Sequence, residues 1–212
     1  MVKNITFNDG NSIPQLGYGV WQIEDNGAAD AVGTALETGY RHIDTASIYG
    51  NEVGVGRGIA ASSVPREDIF LTTKLWNSDQ GFEKAIAALD TSLERLGTDY
   101  VDLYLIHWAM PQQGTYLESW RALIELKKQG KVRSIGVSNF PQAQLREIIA
   151  DTSVTPAIHQ IELHPYFSRR GSWRFRSRLL LRALPRTLQP LMSPWIQQIL
   201  RRLMGLRGRM VA

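Results

Sequence analysis

A chain of 212 residues with 43% apolar and 21% charged side chains can bury a substantial core and is too apolar for disorder, so its composition fits one soluble globular domain. It contains no cysteine, which excludes disulfides, thiolate metal sites and cysteine nucleophiles and favours a cytosolic setting. The net charge of +4 conceals two unlike segments: residues 1–167 carry 13 Lys and Arg against 20 Asp and Glu, whereas residues 168–212 carry 11 Arg and no Lys, Asp, Glu or Asn.

The first twenty residues lack the apolar stretch of a signal peptide, and no run approaches the roughly 18 apolar residues of a spanning helix. Short apolar runs then follow at residues 15–18, 40–43, 69–73, 101–106, 132–137 and 157–163, their starts about 25 to 32 residues apart. That is the length of one strand plus one helix. Between the third and fourth runs, Phe82, Ile86, Leu89, Leu93 and Leu96 share one helical face, with Ser78 or Asp79 as N-cap and Gly97 beyond the end. The next helix gathers Tyr116, Trp120, Leu123 and Leu126 and stops at Gly130. A third opens at Asn139 with Pro141 in its first turn and buries Leu145, Ile148 and Ile149. Repeated βα units imply a parallel sheet, doubly wound or closed as a barrel.

Polar residues at the strand ends favour the barrel. Asp44 ends the second run, Lys74 the third, His107 the fourth, Ser138 and Asn139 the fifth, and Gln160 sits in the sixth. A barrel gathers all its strand C-termini around one mouth, where such groups converge on one substrate. Each alone has an ordinary reading: a snorkelling surface lysine, a hydrogen-bonded histidine at a core edge, a packed turn tyrosine, a capping aspartate. Four of them in register, Asp44, Tyr49, Lys74 and His107, have no structural rule behind them. Their chemistry is coherent. A tyrosine donates a proton poorly at neutral pH unless a cation such as Lys74 assists, Asp44 would hold that ammonium, and His107 would orient a carbonyl oxygen. This set protonates an oxygen while a nicotinamide cofactor delivers hydride, because no side chain is a hydride donor.

At "GYRHIDTASIYGNEVGVG", "GKVRSIGVSNF" and "QIELHPYF" the sequence resembles the aldo-keto reductases, in particular the bacterial branch that includes diketogluconate reductases. The resemblance implies a (β/α)8 TIM barrel that opens with a small hairpin, here at 5–7 and 12–14, is incomplete with about six of the eight βα units, and carries out NADPH-dependent reduction of a small-molecule carbonyl in the cytoplasm. It makes Asp44, Tyr49, Lys74 and His107 a catalytic tetrad with Tyr49 as general acid. Ser138, Asn139 and Gln160 match the positions that hold the nicotinamide carboxamide, and Trp21, Trp76 and Trp108 match substrate-pocket aromatics. Gly54, Gly56 and Gly58 do not have G-x-G-x-x-G spacing and lie inside a helix, so close helix packing explains them better than a dinucleotide loop. His42, His159 and His164 have no metal-ligand spacing and read as structural.

The resemblance covers 1–167, and residues 168–212 form a divergent Arg-rich tail in which the family's adenosine-phosphate clamp is not recognisable. The abrupt change of composition fits translation out of frame. Alternatively, Ser193 and Pro194 open a cationic interfacial helix with Trp195, Ile196, Ile199, Leu200, Leu203 and Met204 on its apolar side, giving a non-catalytic product at a membrane surface. A nucleic-acid arm fits so many leucines poorly, and no nucleic-acid partner is expected. Six strands alone would leave the barrel open, so self-association through exposed edges is also expected.

Overall fold

The structure, a computed structural model, describes residues 3–162. It begins with an antiparallel hairpin of β1 (Asn4–Thr6) and β2 (Ser12–Pro14), one residue earlier at its start than the sequence suggested. Six parallel strands follow: β3 (Tyr18–Gly19), β4 (His42–Asp44), β5 (Phe70–Leu75), β6 (Val101–Ile106), β7 (Val132–Ser138) and β8 (His159–Gln160). Between them run α1 (Asp25–Glu37), α2 (Glu52–Ala61), α3 (Phe82–Leu96), α4 (Tyr116–Lys128) and α5 (Gln142–Thr152). The sheet order is β3-β4-β5-β6-β7-β8, with every neighbour parallel. A doubly wound sheet reverses its order at a switch point, and this one never does. The architecture is therefore that of an incomplete (β/α)8 barrel, with six of its strands among the described residues.

Strand pairing falls later than several apolar runs because pairing starts where a neighbour aligns, not where burial starts. The run at 15–18 yields only Tyr18–Gly19. Gly17 lies so close to the His42 ring that a Cβ there would sit 2.3 Å from Nδ1. The last run pairs only at His159–Gln160, and its end at Leu163 lies outside the described residues, as does the whole tail.

The helices bury the faces their periodicity marked. Ala85, Leu89, Leu93 and Leu96 of α3 are buried, as are Tyr116, Trp120, Leu123 and Leu126 of α4. Each buried leucine among them stabilises the fold by about 1.5–3 kcal/mol. Phe82, in contrast, stays exposed. The start of α3 also differs from expectation, because its N-cap is Gly81 and Ser78 and Asp79 lie in a separate 3-10 turn. The buried Gln80 draws that loop toward α4, donating to the Trp108 carbonyl at 2.8 Å and accepting from Thr115 Oγ1 at 3.1 Å. Similarly, α5 starts at Gln142 with Pro141 at its N-cap rather than at Asn139, which takes a left-handed φ of 56°. Gly54, Gly56 and Gly58 do serve close packing. A Cβ on them would lie 2.2 Å from the Asp25 carbonyl, 2.5 Å from that of Leu96 and 2.6 Å from that of Ala29.

Candidate active site

The C-terminal ends of the strands bring the polar residues together. Asp44 is the last residue of β4, Lys74 the penultimate one of β5, and His107 the first after β6. Tyr49 closes a 3-10 turn, Ser47–Tyr49, whose backbone bond from Tyr49 N to the Ala46 carbonyl is 2.9 Å. Gly50 ends the turn at φ 69°, a conformation that costs glycine little.

Lys74 is the centre of the group and is 1% exposed. Its Nζ donates to Asp44 Oδ1 at 2.6 Å and to the Thr45 carbonyl at 2.9 Å, and makes a long contact of 3.5 Å to the Tyr49 hydroxyl. A buried ammonium is tolerated only with such partners. The other carboxylate oxygen of Asp44 accepts from Gln160 Nε2 at 2.9 Å, joining β4 to β8 across 116 residues of sequence. The His107 ring stands edge-to-face against Tyr49 at 5.9 Å and against Trp76 at 5.2 Å. Burial, and secondarily the Lys74 charge, lower the His107 pKa to about 4 despite the opposing Asp44. At neutral pH the imidazole is therefore uncharged, with one ring nitrogen as donor and the other as acceptor. Its Nδ1 is buried with no partner among the described residues.

Ser138 ends β7 opposite Gln160, and Asn139 follows. Asn139 Nδ2 donates to Ser138 Oγ at 3.0 Å and to the His107 carbonyl at 3.2 Å, while its backbone N–H reaches the Gln160 carbonyl at 3.1 Å. All seven polar residues marked in the sequence thus fall in one connected group. The tryptophans differ. Trp76 touches the group through His107, whereas Trp21 and Trp108 are 67% and 41% exposed and make no ring contact with it. Trp21 follows Val20, whose N–H bonds the Asp44 carbonyl at 3.1 Å.

Enclosure does not mark this site. A cleft of about 440 Å³ at the opposite end of the strands, lined by Asn11, Ser12, Phe70, Asp102 and Arg133 among others, contains none of these residues. No group of three His, Asp or Glu side chains among the described residues could hold a metal ion. His42 bonds Thr72 Oγ1 at 3.1 Å, and His159 Nε2 accepts from the Phe140 N–H at 3.1 Å, so both are structural. His164 lies outside the described residues. Sequence reasoning missed Thr45, whose carbonyl holds Lys74, and Asn51, whose buried amide binds Thr45 Oγ1 at 2.8 Å. No local pattern distinguishes them from turn residues.

The Aldo/keto reductase family pattern matches residues 14–180. An aldo-keto reductase of Mycolicibacterium smegmatis is 56% identical over 165 residues, 78% of this chain and 60% of that protein. The crystal structure of an aldo/keto reductase from Brucella melitensis superposes with a TM-score of 0.78 at 62% identity, covering 80% of this chain and 66% of that one. A mutant of Gox0644 in complex with NADPH gives a TM-score of 0.76 at 48% identity, covering 80% of this chain and 61% of that one. The chain therefore spans about three fifths of the length of the curated relative it matches. The sequential parallel sheet, the polar group at its C-terminal end and these similarities agree, and the chain belongs to the aldo/keto reductase family.

Proposed function

We propose that this chain reduces the carbonyl of a small aldehyde or ketone to an alcohol with NADPH, Tyr49 acting as the general acid. The observation that carries the reading is Lys74 Nζ lying between Asp44 Oδ1 at 2.6 Å and the Tyr49 hydroxyl at 3.5 Å, with His107 packed against the tyrosine ring. When bound, NADPH supplies the hydride that reduces the carbonyl carbon. Tyr49 releases its proton to the carbonyl oxygen, and the Lys74 ammonium stabilises the negative charge that develops on the tyrosine oxygen. Asp44 keeps the ammonium in place. Uncharged His107 donates a hydrogen bond from its substrate-facing nitrogen and orients the carbonyl. Trp76, Trp21 and Trp108 offer apolar and aromatic surface for the rest of the substrate.

Ser138, Asn139 and Gln160 fit a carboxamide. Gln160 spends its amide nitrogen on Asp44 and Asn139 spends its own on Ser138 Oγ and the His107 carbonyl, so both side chains keep a carbonyl oxygen for an incoming NH2 group. The Ser138 hydroxyl, accepting from Asn139, retains its proton for the carboxamide oxygen. No described helix is long and apolar enough to cross a membrane, and the absence of cysteine supports a cytoplasmic setting. The test is NADPH oxidation with a small aldehyde, followed for the chain and for Tyr49→Phe. A fall of at least about 10²-fold is expected, the usual worth of a positioned general acid. Equal, negligible rates for the two proteins would overturn the reading.

A further inference from the structure

Asn51 occupies the N-cap position of α2, yet its side chain makes no bond to the helix. It has no exposed surface, and its three hydrogen bonds all run away from α2. Oδ1 accepts from Thr45 Oγ1 at 2.8 Å, and Nδ2 donates to the Val20 carbonyl at 2.9 Å and the Ile23 carbonyl at 2.8 Å. Each partner belongs to something the reaction needs. The Thr45 carbonyl is one of the acceptors that hold the Lys74 ammonium, at 2.9 Å. Val20 and Ile23 bracket the turn that presents Trp21, in which Gln22 adopts a left-handed φ of 65°. A non-glycine residue holds that conformation only when its surroundings impose it. Tyr49 itself lies two residues before Asn51. The following residue, Glu52, is equally buried and accepts from Thr73 Oγ1 at 2.7 Å, which ties the same point of the chain to the strand carrying Lys74.

We propose that Asn51 is a positioning residue, a single buried amide that holds the Tyr49 turn, the Thr45 carbonyl under Lys74 and the Trp21 turn in one fixed arrangement. Its kinetic consequence rests on the reductase reading above; the structural clamp does not. Only an amide satisfies the site. Aspartate would set an acceptor against two carbonyl oxygens, and alanine would take the amide from the Ile23 carbonyl and the Thr45 hydroxyl and leave the Val20 carbonyl only the Ile23 N–H.

The experiment uses the 212-residue chain, Asn51→Ala, Asn51→Asp and, as a destabilised control remote from the mouth, Trp120→Phe in the core of α4. Amide hydrogen exchange is read on segments 18–26 and 44–52, which contain the bonded N–H groups of Val20, Ile23, Thr45 and Tyr49. In parallel, kcat and KM for NADPH oxidation with a small aldehyde are normalised to the folded fraction. Both Asn51 variants should accelerate exchange at least about tenfold in the two segments together, and lower kcat roughly 10- to 100-fold with the NADPH KM changed less than about threefold. Trp120→Phe should do neither. Unchanged exchange in either segment, or wild-type kcat per folded molecule, overturns the proposal. Coupled exchange with no turnover in the unmutated chain sinks the reductase reading while supporting the clamp.

Discussion

The two ends of the parallel sheet both set a carboxylate beside a cation and use it differently. At the N-terminal end, Asp102 accepts from Arg133 at 3.0 Å through one oxygen and from Arg66 at 3.0 Å and the Leu71 N–H at 2.9 Å through the other. Both guanidiniums lie over the Tyr100 ring, at 4.2 and 4.3 Å. Nearby, Asp9 binds Lys127 and Ser134 and fastens the hairpin loop to β7. At the C-terminal end, Asp44 and Lys74 pair at 2.6 Å, but the contact from Lys74 to Tyr49 is long and His107 Nδ1 has no partner among the described residues. A saturated network is rigid and has spent its hydrogen-bonding groups on one another, whereas an unsaturated one keeps hydrogen-bonding capacity for something that arrives. Stability is concentrated at one end and chemical capacity at the other, as barrels in general arrange them.

The sharpest way to break this contrast is Lys74→Met. If the proposed reaction holds, it should lower kcat/KM for carbonyl reduction about 10²- to 10³-fold, because the cation proposed to assist Tyr49 is gone. Steady-state NADPH oxidation measures this, and retention of a tenth of the activity would show that the mouth does not work through its ammonium.

His42, one layer below the mouth, should contribute to acid sensitivity together with His107, whose pKa burial likewise lowers to about 4. Burial lowers the His42 pKa from 6.5 to about 4, with Asp44 opposing and Lys74 assisting. Between those values the unfolded chain binds a proton that the folded one refuses. Stability is therefore full above pH 6.5 and falls as pH drops toward 4, by about 3 kcal/mol. Urea unfolding at pH 7 and pH 5 should reveal the loss, and His42→Gln should reduce the slope to the share that His107 contributes. A stability independent of pH in that window would place the imidazole in a wetter site than the structure gives it.

At the other end, Asp102→Ala should lower unfolding free energy by about 2–3 kcal/mol, since it leaves the buried Leu71 N–H without its acceptor and takes the carboxylate from two guanidiniums. Because Arg66 and Arg133 are partly solvated, and Arg66 keeps other hydrogen bonds, the loss falls below that of a broken fully buried pair. Its kcat per folded molecule should match the unmutated chain. A large kcat loss would erase the distinction between the two ends.

The smallest effect expected is for Gly56→Ala. Alanine favours a helix over glycine by about 1 kcal/mol, but a Cβ 2.5 Å from the Leu96 carbonyl forces α2 away from α3. The clash wins, and a net loss of about 1 kcal/mol should appear as a lower Tm. A higher Tm would show that the two helices have slack.

Much of this was legible beforehand because it depends on local geometry. Strand β6 was read at its observed bounds, and the faces of α3 and α4 followed from a period that the backbone itself imposes. Asp44, Lys74, His107, Ser138 and Gln160 could be marked because each stands at or beside a strand end, and parallel strands end together. The N-cap of α3 was misread because Gln80 answers to Trp108 and Thr115, about 30 residues away, rather than to its own helix. Asn139 looked like a helix start for a similar reason: its side chain serves His107.

The sequence alone determined which chemical groups this protein carries, in what order along the strands, and that they belong to one end of a parallel sheet. Only the tertiary structure decided how they are joined: that Gln160 bonds Asp44, that Thr45 rather than a second carboxylate completes the Lys74 site, and that Asn51 faces away from the helix it begins. Periodicity and turn chemistry are properties of neighbouring residues and can be read from a string of letters. Hydrogen-bond partners separated by 30 or more residues depend on strand register and loop path, which exist only once the sheet has formed.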